Sequence, residues 1–382
     1  MRVLICLTYY RPHISGLTIY VERLARGLAR RGHRVTILTS HFEKSLPYAE
    51  TLDGVRVLRL PVAFKLSKGV IQPGITLRAL AQMLQHDVVS IHLPQAEAGA
   101  LAFLSRVVAR KPTVLTYHCD LQLPPGLINR VLDRLVFATN HIGARFAHRI
   151  VAYTRDYAVH SPLLSKFLAK IRVIYPPVEL PAPDPRAVAA YHERFGLNGH
   201  AVVGFAARFA EEKGIQYLMQ AVPLILQKNP RVKFLLAGEN QKVIGENVWA
   251  RLEPQIEKFR AQVHVVGTVP SAEMGNFFGA CDVLTVPSIN STESFGLVQV
   301  EAMLSGCPVV ASNLPGVREP VRVTGMGEIV PIRDAPALAA AILKVLEDKK
   351  KYARPRAEIA QTFAIERTLD EYEKLFEELM NG

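Results

Sequence analysis

The sequence predicts two α/β domains in tandem, each a parallel sheet covered by helices, and three observations carry that expectation. At 382 residues the chain is too long for one ordinary core and suits two domains of about 150–200 residues each. Short apolar runs alternate with amphipathic stretches through both halves, the pattern of strand and helix repeats in a parallel sheet. Between the halves, residues 176–198 (PPVELPAPDPRAVAAYHERFGLN) set five prolines ahead of a short helix-like piece, the composition of an interdomain linker. The expected division is a first domain at 1–178, a linker at 179–198, a second domain at 199–360 and a final helix at 361–382.

The elements follow in order. The start, MRVLICLTYYRPH, is basic then apolar, but its apolar part is short and lacks a small-residue cleavage pattern, so it reads as the first buried strand. Leu17–Arg31 is the first amphipathic helix, and RVTILTS, VRVLRLP, DVVSIHL, PTVLTYH and HRIVAYT are further strands. The second half restarts with AVVGFAAR, VKFLLAGE, VHVVGTV, DVLTVPS, PVVAS and GEIVPI. Each run ends in polar or glycine-containing residues, and ligands of open α/β sheets bind beyond those carboxyl ends. From about Ala335 the chain reads as helices, ALAAAILKVLED and RTLDEYEKLFEELM both being apolar on one face. The longest apolar candidate for a membrane span, Ala98 to Leu104, meets Arg106 almost at once, so no span is expected. Four cysteines, Cys6, Cys119, Cys281 and Cys307, form no C-x-x-C pair and read as reduced core thiols of a cytoplasmic protein.

Charge is divided unevenly. Residues 1–178 hold 24 Lys and Arg against 9 Asp and Glu, whereas 179–382 hold 22 against 25. A basic surface suits nucleic acid, anionic lipid, a phosphorylated acceptor, or simple solubility. With no helix-turn-helix, RNP or zinc signature beside it, a nucleic-acid partner is not expected.

Residues 292–312, TESFGLVQVEAMLSGCPVVAS, place Glu293 and Glu301 eight positions apart around a helix start. Gly296–Ser305 reads as the helix, Gly306 as its stop, and Pro308 as the opening of a buried strand. Four orphan N–H groups and the positive dipole end suit a diphosphate at such a terminus. From inside the helix a carboxylate could accept both hydroxyls of a ribose. For an E-x7-E spacing alone, the plain reading is two solvated glutamates on a crossover. The whole run, however, resembles the donor-site signature of retaining nucleotide-sugar glycosyltransferases of family four, mannosyltransferase-type members included. That motif runs E-(G/S)-F-G-x4-E-A-M-A-x-G-x-P-V-(V/I)-A, and Leu304 and Ser305 depart from its small-residue pattern.

The resemblance implies the GT-B fold, two tandem Rossmann-like domains facing a cleft, with the last helix returning to the first domain. It implies that Glu293 touches hydroxyls of the donor sugar. The backbone of Phe295, Gly296, Leu297 and Val298 would hold the phosphates, and Glu301 the ribose. Arg208 and Lys213, in GFAARFAEEKG, are similar to the family pattern G-R-x4-K-G, with Ala207 where glycine is common, and would clamp the diphosphate. Glu211 and Glu212 are expected on the solvent side. Gly16 stands where relatives carry P-x-x-G-G before the first helix, Ser15 replacing the first glycine, and would let a phosphate or sugar approach the backbone. His118, ending a strand in VLTYHCD, would contact the donor sugar, and Val269, in VHVVGTV, the base. A lone histidine at a strand end is more often structural, and Asp120 is a weaker candidate beside it.

Asn290-Ser291-Thr292 spells a glycosylation sequon that reads as loop chemistry. No D-x-D, H-E-x-x-H or cysteine-rich set appears, so neither a metal nor a permanently bound cofactor is expected, and the donor would be a GDP- or UDP-sugar. The implied function is retaining transfer of a hexosyl unit to a hydroxyl acceptor, lipid-linked or on a cell-envelope glycan. The alternatives are a nucleotide-sugar epimerase, or a transferase acting on a soluble sugar or sugar-phosphate. VIYPPVEL departs from the commoner N-G-V-D at the end of the first domain, which leaves the subfamily open. Basic residues among apolar ones in FKLSKGVIQPGITLRALAQML and from Arg130 to Arg149 suit an anionic membrane, placing the enzyme on the inner face of the cytoplasmic membrane.

Overall fold

The computed structural model describes residues 1–66, 69–72, 74–123, 126–240 and 247–382. They divide into two units, Met1–Pro177 together with Ile365–Gly382, and Val178–Ala364.

Unit 1 is built on an eight-stranded sheet. Its strands are β1 (Arg2–Cys6), β2 (Arg34–His41), β3 (Ala49–Leu52), β4 (Val55–Pro61), then, after a separate ribbon of β5 (Phe64–Leu66) and β6 (Gly69–Ile71), β7 (Val88–Leu93), β8 (Thr113–Tyr117), β9 (Arg149–Ala152) and β10 (Ile171–Val173). The order is β10-β9-β8-β7-β1-β2-β4-β3, parallel except where β3 turns back on β4. Val3, Leu4 and Ile5 of β1 are fully buried, as a strand covered on both faces requires. Helices α1 (Gly16–Arg30), α2 (Ile75–Gln85), α3 (Ala98–Phe103), α4 (Leu127–Phe146) and α5 (Arg155–His160) follow the strands. α3 and α4 approach closely through small residues: a Cβ on Gly99 would lie 2.9 Å from the Thr139 carbonyl.

Unit 2 holds β11 (Ala201–Ala206), β12 (Val232–Ala237), β13 (Val263–Gly267), β14 (Val283–Val286), β15 (Val309–Ser312) and β16 (Gly327–Val330), all parallel in the order β13-β12-β11-β14-β15-β16. Its helices are α6 (Pro185–Arg194), α7 (Ile215–Lys228), α8 (Val248–Lys258), α9 (Met274–Gly279), α10 (Leu297–Leu304), α11 (Glu319–Thr324), α12 (Ala335–Glu347), α13 (Lys349–Tyr352) and α14 (Arg356–Phe363). Val203, Phe205, Phe234, Leu236, Val283 and Val310 of the sheet form one core with Leu218 and Val222 of α7 and Ile342 of α12.

The stretch expected to be a linker at 179–198 belongs to unit 2. Its prolines serve a helix start: Asp184 accepts from the Arg186 amide at 2.9 Å, Pro185 takes the first helical position, and α6 lies on α9. The Asp184 amide in turn donates to Asn276 Oδ1 at 2.8 Å. The final segment also begins later than 361. α14 stays with unit 2, Ala364 is extended, and α15 (Ile365–Asn381) belongs to unit 1.

α15 buries Leu369, Tyr372, Leu375 and Phe376 along one face, and this apolar stripe supplies most of its attachment. A Cβ on Gly27 of α1 would come within 2.7 Å of the Leu369 methyls, so the two helices nearly touch. Arg31 reaches Asp370 and Glu373 at 2.6 Å each, His33 reaches Glu373 at 2.7 Å, and Arg172 reaches Glu371 at 3.1 Å. Part of the basic excess of the first 178 residues is thus matched by the acidic face of α15.

Inside unit 1 the Tyr372 hydroxyl bridges the Tyr20 hydroxyl at 2.7 Å and Thr116 Oγ1 at 2.8 Å, all three groups being buried. Tyr372→Phe removes that bridge and strands two buried hydroxyls, which costs about 1–3 kcal/mol. Urea unfolding of the variant should show a lower midpoint at unchanged slope. An unchanged midpoint would mean the bridge contributes nothing.

Candidate functional site

In unit 2 the chain leaves β11 to build β12 and β13 on one side, then returns to build β14, β15 and β16 on the other. The crevice beyond the carboxyl ends of β11 and β14 is therefore the topological switch point, the usual ligand position in open α/β sheets. Two loops meet there.

The loop after β11 runs through Arg208 and Lys213. Phe209 is fully buried and its amide donates to the Glu239 carbonyl at 2.9 Å, so the neighbouring Arg208 side chain turns out and is half exposed. Its Nη2 lies 3.4 Å from Glu212 Oε1. Glu212, expected on the solvent side, is only 14% exposed and turns toward that arginine, while its carbonyl accepts from the Ile289 amide at 3.0 Å. Gly214 ends the loop at φ 70°, and a Cβ there would lie 1.8 Å from the Pro287 carbonyl oxygen. Only glycine lets the loops after β11 and β14 touch at this point.

The loop after β14 is shaped by Asn290, whose Oδ1 accepts from the Thr292 amide at 3.1 Å and the Thr292 hydroxyl at 2.6 Å. This is an Asx turn, the loop chemistry expected of the sequon. The turn delivers Glu293. One carboxylate oxygen accepts from Lys213 Nζ at 2.5 Å and the other from the Gly296 amide at 3.0 Å. Phe295 is buried and packs edge-on against Phe363, ring centroids 6.0 Å apart. Gly296, expected as the first helical residue, is instead the left-handed cap at φ 74°, and α10 begins at Leu297. Leu297 and Val298 are half-buried at the first two helical positions, where amides have no intrahelical acceptor. Glu301 follows one turn later on the same face as Leu297 and is 7% exposed. A carboxylate, an ammonium group and an N-terminal helix turn thus stand together, a set suited to an anion carrying a hydroxylated group.

The remaining predicted residues belong to other elements. Val269 is half-buried in the loop after β13. Gly16 opens α1 in unit 1; its backbone is not left-handed, and a side chain there would meet nothing within 4 Å. Ser15, the departure from a double glycine, caps α1 by accepting from the Thr18 amide at 3.2 Å. His118 differs from expectation. Its ring is turned into unit 1, 5% exposed, with Nε2 2.9 Å from His92 Nδ1 and Nδ1 against the Tyr153 hydroxyl. Burial holds both imidazoles neutral, taking His92 down to about 3 and His118 well below its usual value, the latter with His92 as second cause. Asp120 is likewise bonded within unit 1, accepting from the Tyr117 hydroxyl at 2.8 Å and Ser161 Oγ at 2.7 Å. Gln299, which sequence reasoning passed over, is fully buried behind Gly296, and a glutamine on the inward stripe with Met303 was its signal. Among the described residues no three His, Cys, Asp or Glu side chains group as metal ligands.

Two families match consecutive parts of the chain: the glycosyl transferase 4-like domain over residues 15–177 and the glycosyl transferases group 1 over 189–362. A D-inositol 3-phosphate glycosyltransferase of Xylanimonas cellulosilytica is 32% identical over 365 residues, covering 89% of this chain and 85% of that protein. A phosphatidyl-myo-inositol mannosyltransferase of Mycobacterium tuberculosis is 27% identical, covering 91% and 88%. Among solved structures, HepE of Anabaena in complex with UDP and glucose superposes with a TM-score of 0.78 at 20% identity over 99% of this chain and 100% of that one. Sucrose-phosphate synthase of Thermosynechococcus elongatus gives 0.77 at 21% over 100% and 99%. With its two halves matched in order and a relative of that identity spanning most of both chains, this protein belongs to the group 1, 4-like family of GT-B glycosyltransferases.

Proposed function

We propose that the chain is a retaining hexosyltransferase that moves a sugar from a nucleoside diphosphate to a hydroxyl acceptor at a membrane surface. The observation that carries the donor half is the meeting of Lys213, Glu293 and the start of α10 at the switch point of unit 2. In this reading the amides of Leu297 and Val298, with Lys213 and Arg208, take the diphosphate, doing the electrostatic work of a divalent ion. Glu301 takes the ribose hydroxyls, the backbone at Val269 the base, and Glu293 the sugar hydroxyls. Gly16 offers its open backbone face. His118 enters with its ring bonded on both sides, so contact with a sugar hydroxyl exchanges one of those bonds.

The glycosyl C1–O bond to the diphosphate breaks as the acceptor oxygen bonds C1 on the same face. The acceptor proton passes to a leaving phosphate oxygen, which calls for no protein nucleophile. Family membership favours transfer over epimerisation, and incubation of the nucleotide sugar without acceptor separates the two, since only an epimerase turns over alone.

Glu301→Ala should weaken nucleotide binding, while Glu293→Ala should chiefly lower kcat. Calorimetry and steady-state kinetics read the two effects separately, and wild-type nucleotide affinity in the Glu301 variant would remove the ribose assignment. Thermal-shift screening with UDP, GDP and ADP identifies the base.

Loss of either cation, by Arg208→Ala or Lys213→Ala, should reduce kcat/KM on the order of a hundredfold, as expected for one preorganised charge donor. EDTA should leave the rate unchanged. Activity abolished by chelator and restored by magnesium would overturn the metal-independent reading.

The acceptor half rests on unit 1. α4 buries only Asn140, Gly143 and Ala144 and exposes Leu127 (78%), Ile128 (69%), Val131 (50%) and Leu135 (57%) beside exposed Arg130 and Arg134. An apolar helical face left largely exposed, flanked by arginines, fits the interface of an anionic bilayer, where each cation contributes ~1 kcal/mol. Phe64 with Lys65 and Leu77 with Arg78 expose the same combination; Lys68, from the same stretch, lies outside the described residues. Among the described residues no helix is long and apolar enough to cross a membrane. The relatives named for D-inositol 3-phosphate and for 2-deoxystreptamine, the latter 29% identical and from Streptomyces kanamyceticus, favour a soluble acceptor as the second reading.

Sedimentation with liposomes distinguishes them. The protein should bind anionic vesicles more than neutral ones, salt should weaken that binding, and Arg130→Gln with Arg134→Gln should reduce it. No anionic preference at low salt would leave a soluble cyclitol or sugar-phosphate acceptor.

A further inference from the structure

Gln299 is fully buried in α10, two positions beyond the first helical residue. Its Nε2 donates to the Phe295 carbonyl at 2.7 Å and to the Val317 carbonyl at 2.9 Å. Both partners are carbonyls, so the amide nitrogen must face them. Its own Oε1 is left buried without a hydrogen-bond partner. A fully apolar residue would avoid that costly orphan, so the two donated bonds are what the glutamine supplies.

Those bonds act on the turn that the donor-site reading assigns to phosphate. A peptide group is planar and trans, so its C=O and N–H point in opposite directions. Anchoring the Phe295 carbonyl inward on Gln299 turns the Gly296 N–H outward, where it meets Glu293 Oε1 at 3.0 Å. The second bond ties the same turn to the loop after β15, which contains Val317. The need for glycine at 296 has the same origin. A Cβ there would lie 2.6 Å from Gln299 Nε2, and the backbone sits at φ 74°, ψ 71°.

We infer that Gln299 is a positioning residue for donor binding: through the Phe295 and Val317 carbonyls it holds the Phe295–Val298 turn with its amides facing the diphosphate. The inference rests on the donor-site reading above. It predicts a split between ligands. Gln299 acts on the phosphate-facing turn, whereas the ribose is assigned to Glu301 one turn further along the helix.

The test uses the full chain and whichever of UDP, GDP or ADP raises the wild-type melting temperature most, with the corresponding nucleoside as second probe. Gln299→Met keeps the length and removes both donors. Its affinity for the nucleoside diphosphate should fall about tenfold, or about 1.4 kcal/mol, while nucleoside binding, followed by saturation-transfer NMR, stays within about twofold. Gln299→Leu likewise removes both donors and should give the same split. It decides the matter if the methionine variant fails to fold. Equal losses for nucleoside and diphosphate, or no loss for either, would overturn the inference alone. A wild type that binds none of the three diphosphates would overturn the donor-site reading itself.

Discussion

The peptide group between Phe295 and Gly296 is held at both polar ends, its carbonyl by Gln299 inside unit 2 and its N–H by Glu293 at the mouth of the switch-point crevice. That constraint sets the rest of the site. It requires glycine at 296, starts α10 at Leu297 rather than one residue earlier, and fixes Glu293 close enough to Lys213 for a 2.5 Å contact. Lys213 in turn is delivered by Gly214, the only residue type that lets the two loops touch. In the proposed reading a donor phosphate then exchanges with an anion already present, the Glu293 carboxylate. Binding frees that carboxylate to meet the sugar.

Charge in unit 1 has two separate uses. Arg31, His33 and Arg172 are committed to acidic residues of α15, partly exposed pairs that each contribute little beside the buried stripe of Leu369, Tyr372, Leu375 and Phe376. Arg130 and Arg134 stand instead beside apolar side chains that no other element covers. The first group pairs within the fold, and the second faces solvent, where the proposed reading sets an anionic surface. The sequence total of Lys and Arg joins the two groups, so only the pairing seen in the structure tells them apart.

Legibility followed the physics of each signal. Buried parallel strands such as RVLIC are near-continuous apolar runs and were readable directly. β3 was missed because AETL, at a sheet edge, has neither an apolar run nor a clean alternation, and β10 because three residues carry no period. The prolines of 176–198 were read as linker because proline marks both free linkers and helix starts, and only the packing of α6 on α9 separates those cases. At the site, Glu293, Glu301, Arg208 and Lys213 were legible as a motif. Gln299 was not, because its work is done on backbone carbonyls that leave no mark in neighbouring side chains. His118 was placed on the right strand end, but the direction of its ring depends on His92 and Tyr153, 26 and 35 residues away.

The two units differ in how their chemistry is encoded. In the proposed reading unit 2 presents a diphosphate with main-chain groups whose direction is fixed by glycines, a buried glutamine and a short helix, an arrangement that many side-chain choices elsewhere leave intact. A recurrent backbone shape therefore goes with a recurrent motif, and the donor reading starts from ESFGLVQVEAM for that reason. In the same proposal unit 1 meets its partner with exposed side chains on α4 and the ribbon, where each position answers to the partner rather than to the fold. A hydroxyl on a lipid headgroup and one on a free cyclitol make the same demand on the reacting atoms. They differ only in what surrounds the acceptor, and the uncovered Leu127, Ile128 and Val131 of α4 bear on that surrounding.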